Sequence, residues 1–325
     1  MALPRPSSFT RLSLLLAALF FSNASLFADN AQAEALLKQG RVDEASAMLK
    51  QGISSQPQDD EAHLFLCRVY YAQEMADPAV QECETATRNN PSSSNAQMWL
   101  GRVYGLKASQ SSMFSAFGVA RKVRSAFERA VQLNPANVQA MSDLGQFYVE
   151  APSIVGGGTD KAQALAAKMM PRSAAKAHRI LGMAAKKKND PATAESEFKS
   201  AIAAGKNPEA WIDLALLYQD QKQTDKAVAA IESSVQANRT QNAALVDAAS
   251  ILTNMNRQPE LAEKLLRDYL ASSAKTDDAP AFRVHLQLGN LLKQRGDTEG
   301  ARKEYAAALS LASGYAPARK AAQGI

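Results

Sequence analysis

The chain has 325 residues, a formal net charge of +5 and only 6% aromatic residues. So small a charge, without Lys and Arg clustered on one face, excludes a nucleic-acid surface. An alanine-rich, aromatic-poor composition favours packed helices over sheets, because Ala costs least in a helix interior.

Residues 1–28 read as a secretory leader. Arg5 and Arg11 form its positive start, and without them the remaining chain is near +3. Leu12 to Phe21 is apolar but too short to span a bilayer, which takes about 20 residues. Ser22 and Ala24 fit a cut after Ala24. A cut after Ala28 is the alternative, with the bulkier Leu26 three residues before it. An uncleaved N-terminal anchor is the opposed reading. No Cys follows the apolar run to carry a lipid, and no later segment is long and apolar enough to span a membrane. The expectation is an exported, periplasmic protein of a Gram-negative bacterium, with residues 29–325 as one folded array.

From about Ala31 the chain reads as pairs of short amphipathic helices. The first pair opens with a short helix, about Ala31 to Gln39, and continues through Gly40, Ala45, Leu49 and Pro57. The second runs from Asp60 to Pro91. With Asp60 as position 1, His63 stands at 4, Leu66 at 7, Cys67 at 8 and Tyr70 at 11. Ala79 stands at 20, Cys83 at 24, Ala86 at 27 and Pro91 at 32. Pro57 and Pro91 are 34 residues apart. This pattern resembles the tetratricopeptide repeat, a 34-residue helix–turn–helix unit.

The same frame recurs. The third unit carries Leu100, Gly101, Tyr104, Phe127, Ala130 and Pro135, with ten extra residues around Lys107 to Phe117. Met113, Phe114 and Phe117 have helical spacing, so the insertion is predicted to lengthen the hairpin. The fourth has Met141, Leu144, Gly145 and Tyr148, and then breaks at Ala151 to Gly158. Thr159 or Asp160 is expected to cap the next helix. The third and fourth units, about 94–174, are thus irregular. The fifth carries Leu181, Gly182 and Phe198, and the sixth Trp211, Leu214, Ala215, Tyr218 and Ile231. The seventh is degenerate, and the eighth has Leu288, Gly289, Tyr305 and Ala308. Ala316 to Gln323 is expected to cap the array.

The resemblance covers about residues 30–323. It implies an all-α, right-handed superhelical solenoid of about eight hairpins, with first helices lining a concave face. Gly101, Gly145, Gly182 and Gly289 occupy position 8, where two helices nearly touch. The central part is also similar to a narrower, exported bacterial type. The segments that carry this are Leu100 to Gly105, Phe127 to Val131, and Ala151 to Ala162 with its Gly-Gly-Gly-x-x-Lys-Ala loop.

Gly156 to Lys161 invites a phosphate-loop reading, but the Walker spacing and a preceding strand are absent. A rigid connector or a partner-contact loop fits better. His63, His178 and His285 all fall at position 4 of distant units. That assigns them to packing between hairpins and leaves no metal site and no nucleophile–base pair. Lys186, Lys187 and Lys188 read as a solvated helix end or part of a binding surface. Cys67 and Cys83, at positions 8 and 24, are either bonded across one hairpin or two buried thiols, and export favours the bond.

Repeat positions 2, 5, 9, 12 and 13 line the groove of such a solenoid. Here they include Leu64, Arg68, Tyr71, Met98, Arg102, Gln146, Arg179, Met183, Lys186 and Leu216. Mixed Arg, apolar and aromatic groups suit a peptide groove. The Lys and Asn pair that chaperone-tail binders carry at 5 and 9 is missing. The sequence therefore suggests a non-catalytic protein- or peptide-binding module, without cofactor, in a scaffolding or assembly role. The alternative is a small-ligand binder or enzyme with a pocket near Gly156–Gly158.

Overall fold

A computed structural model describes residues 30–205 and 208–325; the leader and its cut sites at Ala24 or Ala28 lie outside the described residues. Helix α1 covers 30–38 and pairs with α2 (Val42–Ser55). The next pairs are α3 (Asp60–Ala72) with α4 (Ala76–Asn89), and α5 (Ser94–Ser109) with α6 (Met113–Leu133). The fourth pair is α7 (Val138–Glu150) with α8 (Thr159–Met169), and the fifth α9 (Ala174–Lys187) with α10 (Pro191–Gly205). Then come α11 (Pro208–Asp220) with α12 (Thr224–Ala237), and α13 (Ala244–Asn254) with α14 (Pro259–Ala271). Helix α15 (Ala281–Gln294) pairs with α16 (Thr298–Leu311), and α17 (Ala316–Gln323) packs on α16. Among the described residues the architecture is an all-α repeat solenoid without strands.

Local chemistry sets several helix starts. Asp59 accepts from the N–H groups of Glu61 and Ala62 at the head of α3. Ser93, Asn137 and Asp297 do the same for α5, α7 and α16. Each satisfies backbone donors that a helix start leaves open. Helix α8 departs from expectation: it begins at Thr159 behind Gly158, with no side-chain cap from Thr159 or Asp160. The break before it is a single 3₁₀ turn, Ser153–Val155. The insertion in the third unit is helical on both sides, giving α5 16 residues and α6 21.

Positions 8 and 24 meet inside each regular hairpin, and their sizes are complementary. A Cβ on Gly101 would lie 2.4 Å from the Phe127 ring, on Gly182 2.6 Å from Phe198, and on Gly289 2.5 Å from Tyr305. Gly145 differs, because the broken fourth hairpin brings Ile180 of the next unit to 2.3 Å instead. In the second hairpin the same two positions hold Cys67 and Cys83, bonded with Cα atoms 5.3 Å apart.

The array curls until its ends touch. Leu37, Leu66 and Val69 share a buried cluster with Phe282, Ala308, Ala312 and Tyr315. Phe282 is fully buried and meets Tyr315 edge-to-face, with ring centroids 4.9 Å apart. Asp43 accepts a 2.8 Å hydrogen bond from the Ser313 N–H. Arg283 pairs with Glu74 across the same seam.

Candidate functional site

The inner face carries a ladder of ion pairs between successive first helices. Arg102 Nε on α5 donates to Asp143 on α7 at 2.6 Å. Arg179 Nε on α9 donates to Asp213 on α11 at 2.7 Å, and Lys186 pairs with Asp220. Burial pushes the Asp213 carboxyl up against the opposing pull of Arg179. Asp247, next along on α13, is solvent-exposed, yet desolvation by the crowded groove wall and the like charges of Asp213 and Glu209 push it up to about 6. Burial holds Lys176 below its ordinary value, with Arg179 and Arg102 adding to the effect against Asp143.

One part of this face is a cradle. Trp99 lies beneath two guanidinium groups, Arg102 at 4.6 Å and Arg68 at 5.2 Å from its ring centroid. Tyr71 meets the same ring edge-on at 5.5 Å. Such stacking orients a guanidinium while leaving its N–H groups to bind carboxylates. The loop between α14 and α15 and helix α1 supply them. Arg68 Nε donates to Asp277 at 2.8 Å, and its Nη1 donates to Glu34 at 3.3 Å. Arg102 Nη1 reaches Asp278 at 3.5 Å. The loop is fixed behind by the Tyr269 hydroxyl, which donates to the Ala279 carbonyl at 2.7 Å and accepts from the Thr276 N–H. Beside the cradle a cleft of about 300 Å³ opens between Tyr71, Arg102, Gln146 and Phe147.

The ten residues that the sequence assigns to the groove divide accordingly. Tyr71, Arg102 and Gln146 come together at the cleft. Arg68 is buried under the loop, and Leu64 and Met98 lie in the core. Arg179, Met183 and Lys186 sit on α9 and Leu216 on α11, further along the face. Leu216 is exposed and Met183 packs partly into the core. Trp99, Asp143, Asp277 and Asp278 are not singled out by the sequence. Asp143 and Asp213 stand at position 6 of their units, a signal that the repeat frame contains.

A second cleft, about 680 Å³, lies between α6, α7 and α8, close to the Gly loop. Met141, Leu144 and Leu165 line its floor, and Lys161, Lys168 and Arg172 are among its rim. Lys161 Nζ donates to the Gly156 carbonyl at 3.0 Å, so this lysine braces the loop. Gly156 takes φ +96° and Gly158 φ +148°. A Cβ on Gly157 would lie 1.8 Å from the Ala151 carbonyl oxygen.

The histidines also form a repeating pair within their own hairpins, and His63 places Nε2 3.1 Å from the Pro57 carbonyl oxygen of the preceding unit. His63, His178 and His285 each place Nδ1 at 2.6–2.7 Å from the Glu 19 residues later: Glu82, Glu197 and Glu304. Burial opposes ionisation of Glu304, but His285 and Arg267 outweigh it and hold the carboxyl below its ordinary value. Among the described residues, no group of three or more His, Cys, Asp or Glu is placed to hold a metal ion.

Fold and site together define a helical-repeat solenoid with a cleft on its inner face. Tetratricopeptide-repeat family models match residues 33–103, 181–243 and 282–315, together about half of the chain. The chain is a tetratricopeptide repeat protein. Comparison with curated proteins finds no match. Solved structures with a similar fold include a thermophilic TPR protein of Thermus thermophilus, at 20% identity. That match covers 70% of this chain and 99% of that one, with a TM-score of 0.47. Yeast Tom70 matches at 17% identity over 87% of this chain, with a TM-score of 0.52. This chain spans 58% of the length of Tom70. The human IFIT1 dimer solved with m7Gppp-AAAA matches at 16% identity over 89% of this chain and 72% of that one, TM-score 0.48. At these identities the likeness concerns the fold alone.

Proposed function

We propose that this protein is a non-catalytic binding module of the bacterial envelope, of the exported type that carries the Gly-Gly-Gly-x-x-Lys-Ala loop. It holds an acidic segment of a protein partner in its concave groove, in a scaffolding or assembly role. One observation carries this reading: the Arg68–Trp99–Arg102 cradle already receives two carboxylates, Asp277 and Asp278, from the chain's own loop. A site that binds carboxylates in cis has the chemistry to bind them in trans, with a partner's carboxylate displacing the exposed Asp278 from Arg102. The leader-like residues 1–28 support export. So does the Cys67–Cys83 bond, since such bonds persist in oxidising compartments.

A photo-crosslinker at Gln146, used in intact cells and followed by mass spectrometry, tests the proposal. The expected product is a covalent adduct with one envelope protein, lost on Arg102→Glu. Absence of any protein adduct, with a small metabolite co-purifying instead, overturns it. The cleft beside the Gly loop, apolar in its floor and lined by Lys161, Lys168 and Arg172 against the single carboxylate of Glu128, favours capture of a small amphipathic anion as the second reading. Loss of that metabolite on Lys168→Glu would select it.

A further inference from the structure

The two irregular units build one feature, a projecting arm. None of the first ten residues of α6 is buried; the first that is buried is Val123. This segment packs by one side, through Val119, along the lengthened end of α5, and turns its other side to solvent. It exposes Met113 at 75%, Phe114 at 90% and Phe117 at 38%. The 3₁₀ turn of the fourth unit packs on α6 and presents Ile154, 68% exposed. These four are most of the exposed large apolar side chains among the described residues.

The arm is also cationic. No Asp or Glu occurs from Thr85 to Phe127, 43 residues in which the chain's average would place about four. Arg121 and Lys122 follow the apolar tip within one to two turns, and neither has a carboxylate partner among the described residues. Lys122 instead lies over the Tyr104 ring at 5.2 Å.

The geometry points to a peripheral membrane contact: the tip of α6 inserts Met113, Phe114 and Phe117 into the headgroup region of an anionic bilayer, while Arg121 and Lys122 bind lipid phosphates. Phe beside Lys and Arg on a short helix end is the pattern of an interfacial anchor, which sits about 5–10 Å into the headgroup and acyl boundary. A protein partner fits less well. Three such side chains offer about 500 Å² at most, against about 800 Å² per side in a stable protein interface. The contact is with one surface of the bilayer, and among the described residues no helix is long and apolar enough to cross it.

Flotation of the purified protein with vesicles containing phosphatidylglycerol, against vesicles of phosphatidylcholine alone, tests this. The protein is expected to float with the anionic vesicles and to be released as salt is raised to about 0.5 M. Phe114→Ser with Phe117→Ser is expected to cut binding roughly tenfold or more, consistent with the small area each chain buries. Arg121→Gln with Lys122→Gln is expected to abolish the preference for anionic lipid. None of the four residues belongs to the buried clusters, so thermal melting should change little and serves as the folding control. Wild-type protein that floats with neither vesicle overturns the inference. So does equal binding by the Phe variant, or a dimer in sedimentation that the Phe variant abolishes.

Discussion

Gly101 and Gly105 lie one helical turn apart on α5 and face different surroundings. A Cβ at 101 would enter the Phe127 ring, whereas a Cβ at 105 meets nothing within 4 Å. Gly101→Ala should therefore destabilise the protein by about 1–3 kcal/mol through over-packing. Gly105→Ala should stabilise it by about 0.5–1 kcal/mol, because it removes glycine's backbone entropy from a helix. Urea midpoints of the two variants decide the matter; equal effects would mean that residue size at position 8 does not control the hairpin. Asp247 gives a pH-dependent test. Although the residue is solvent-exposed, its folded-state pKa is pushed from 3.8 up to about 6 by desolvation within the crowded groove and then by Asp213 and Glu209. Between about pH 4 and pH 6 the folded state thus holds a proton that the unfolded chain has released, so stability falls as pH rises through that window. Asp247→Asn should raise the urea midpoint at pH 7 and flatten the slope between pH 4 and 6. An unchanged slope would show that solvent in the groove screens the charge.

The hairpin is the element that the sequence encodes most directly. Two helices in close contact need a small residue opposite a large one, and a 34-residue period repeats that demand. This is why Gly101, Gly182 and Gly289 were legible as contact points, and why Cys67 and Cys83 fell opposite one another. The bond between them locks α3 to α4 across 15 intervening residues. Reduction, or Cys67→Ser with Cys83→Ser, should cost about 3 kcal/mol on the chain-entropy estimate. Denaturation with and without reductant measures it, and no difference would mean that the thiols are free in the purified protein. The His–Glu pairs were written in the sequence as well, each Glu 19 residues after its His. Their meaning was hidden, because a 19-residue separation joins two side chains only when the helices of a hairpin run antiparallel at a fixed stagger. The Gly145 contact was also out of reach, since a broken hairpin changes which neighbour fills the space.

Closure of the whole array was not legible, for a physical reason. The repeat period records how each hairpin packs on the next, whereas superhelical curvature accumulates from small rotations that no spacing reveals. Arg68 and Asp277 are 209 residues apart, so nothing in a 34-residue frame links them. Seen as separate groups, the groove arginines read as free to bind a partner; in the curled array they already hold Asp277, Asp278, Asp143 and Asp213. Closure also changes the thermodynamics expected of a repeat protein. In an open array each unit touches only its neighbours, so damage at one end leaves the other end intact. Here Phe282, on the eighth hairpin, is fully buried in one cluster with Leu37, Leu66 and Val69 of the first two. Phe282→Ala should cost about 3–5 kcal/mol. It should also lower amide hydrogen-exchange protection in α1 to α3 as much as in α15, because those helices lose the same packing partner. The control is Leu214→Ala on α11, which should cost about 2–5 kcal/mol while leaving α1 to α3 protected relative to the middle of the array. If loss of protection on Phe282→Ala stays within α13 to α17, the ends of the solenoid meet without stabilising each other.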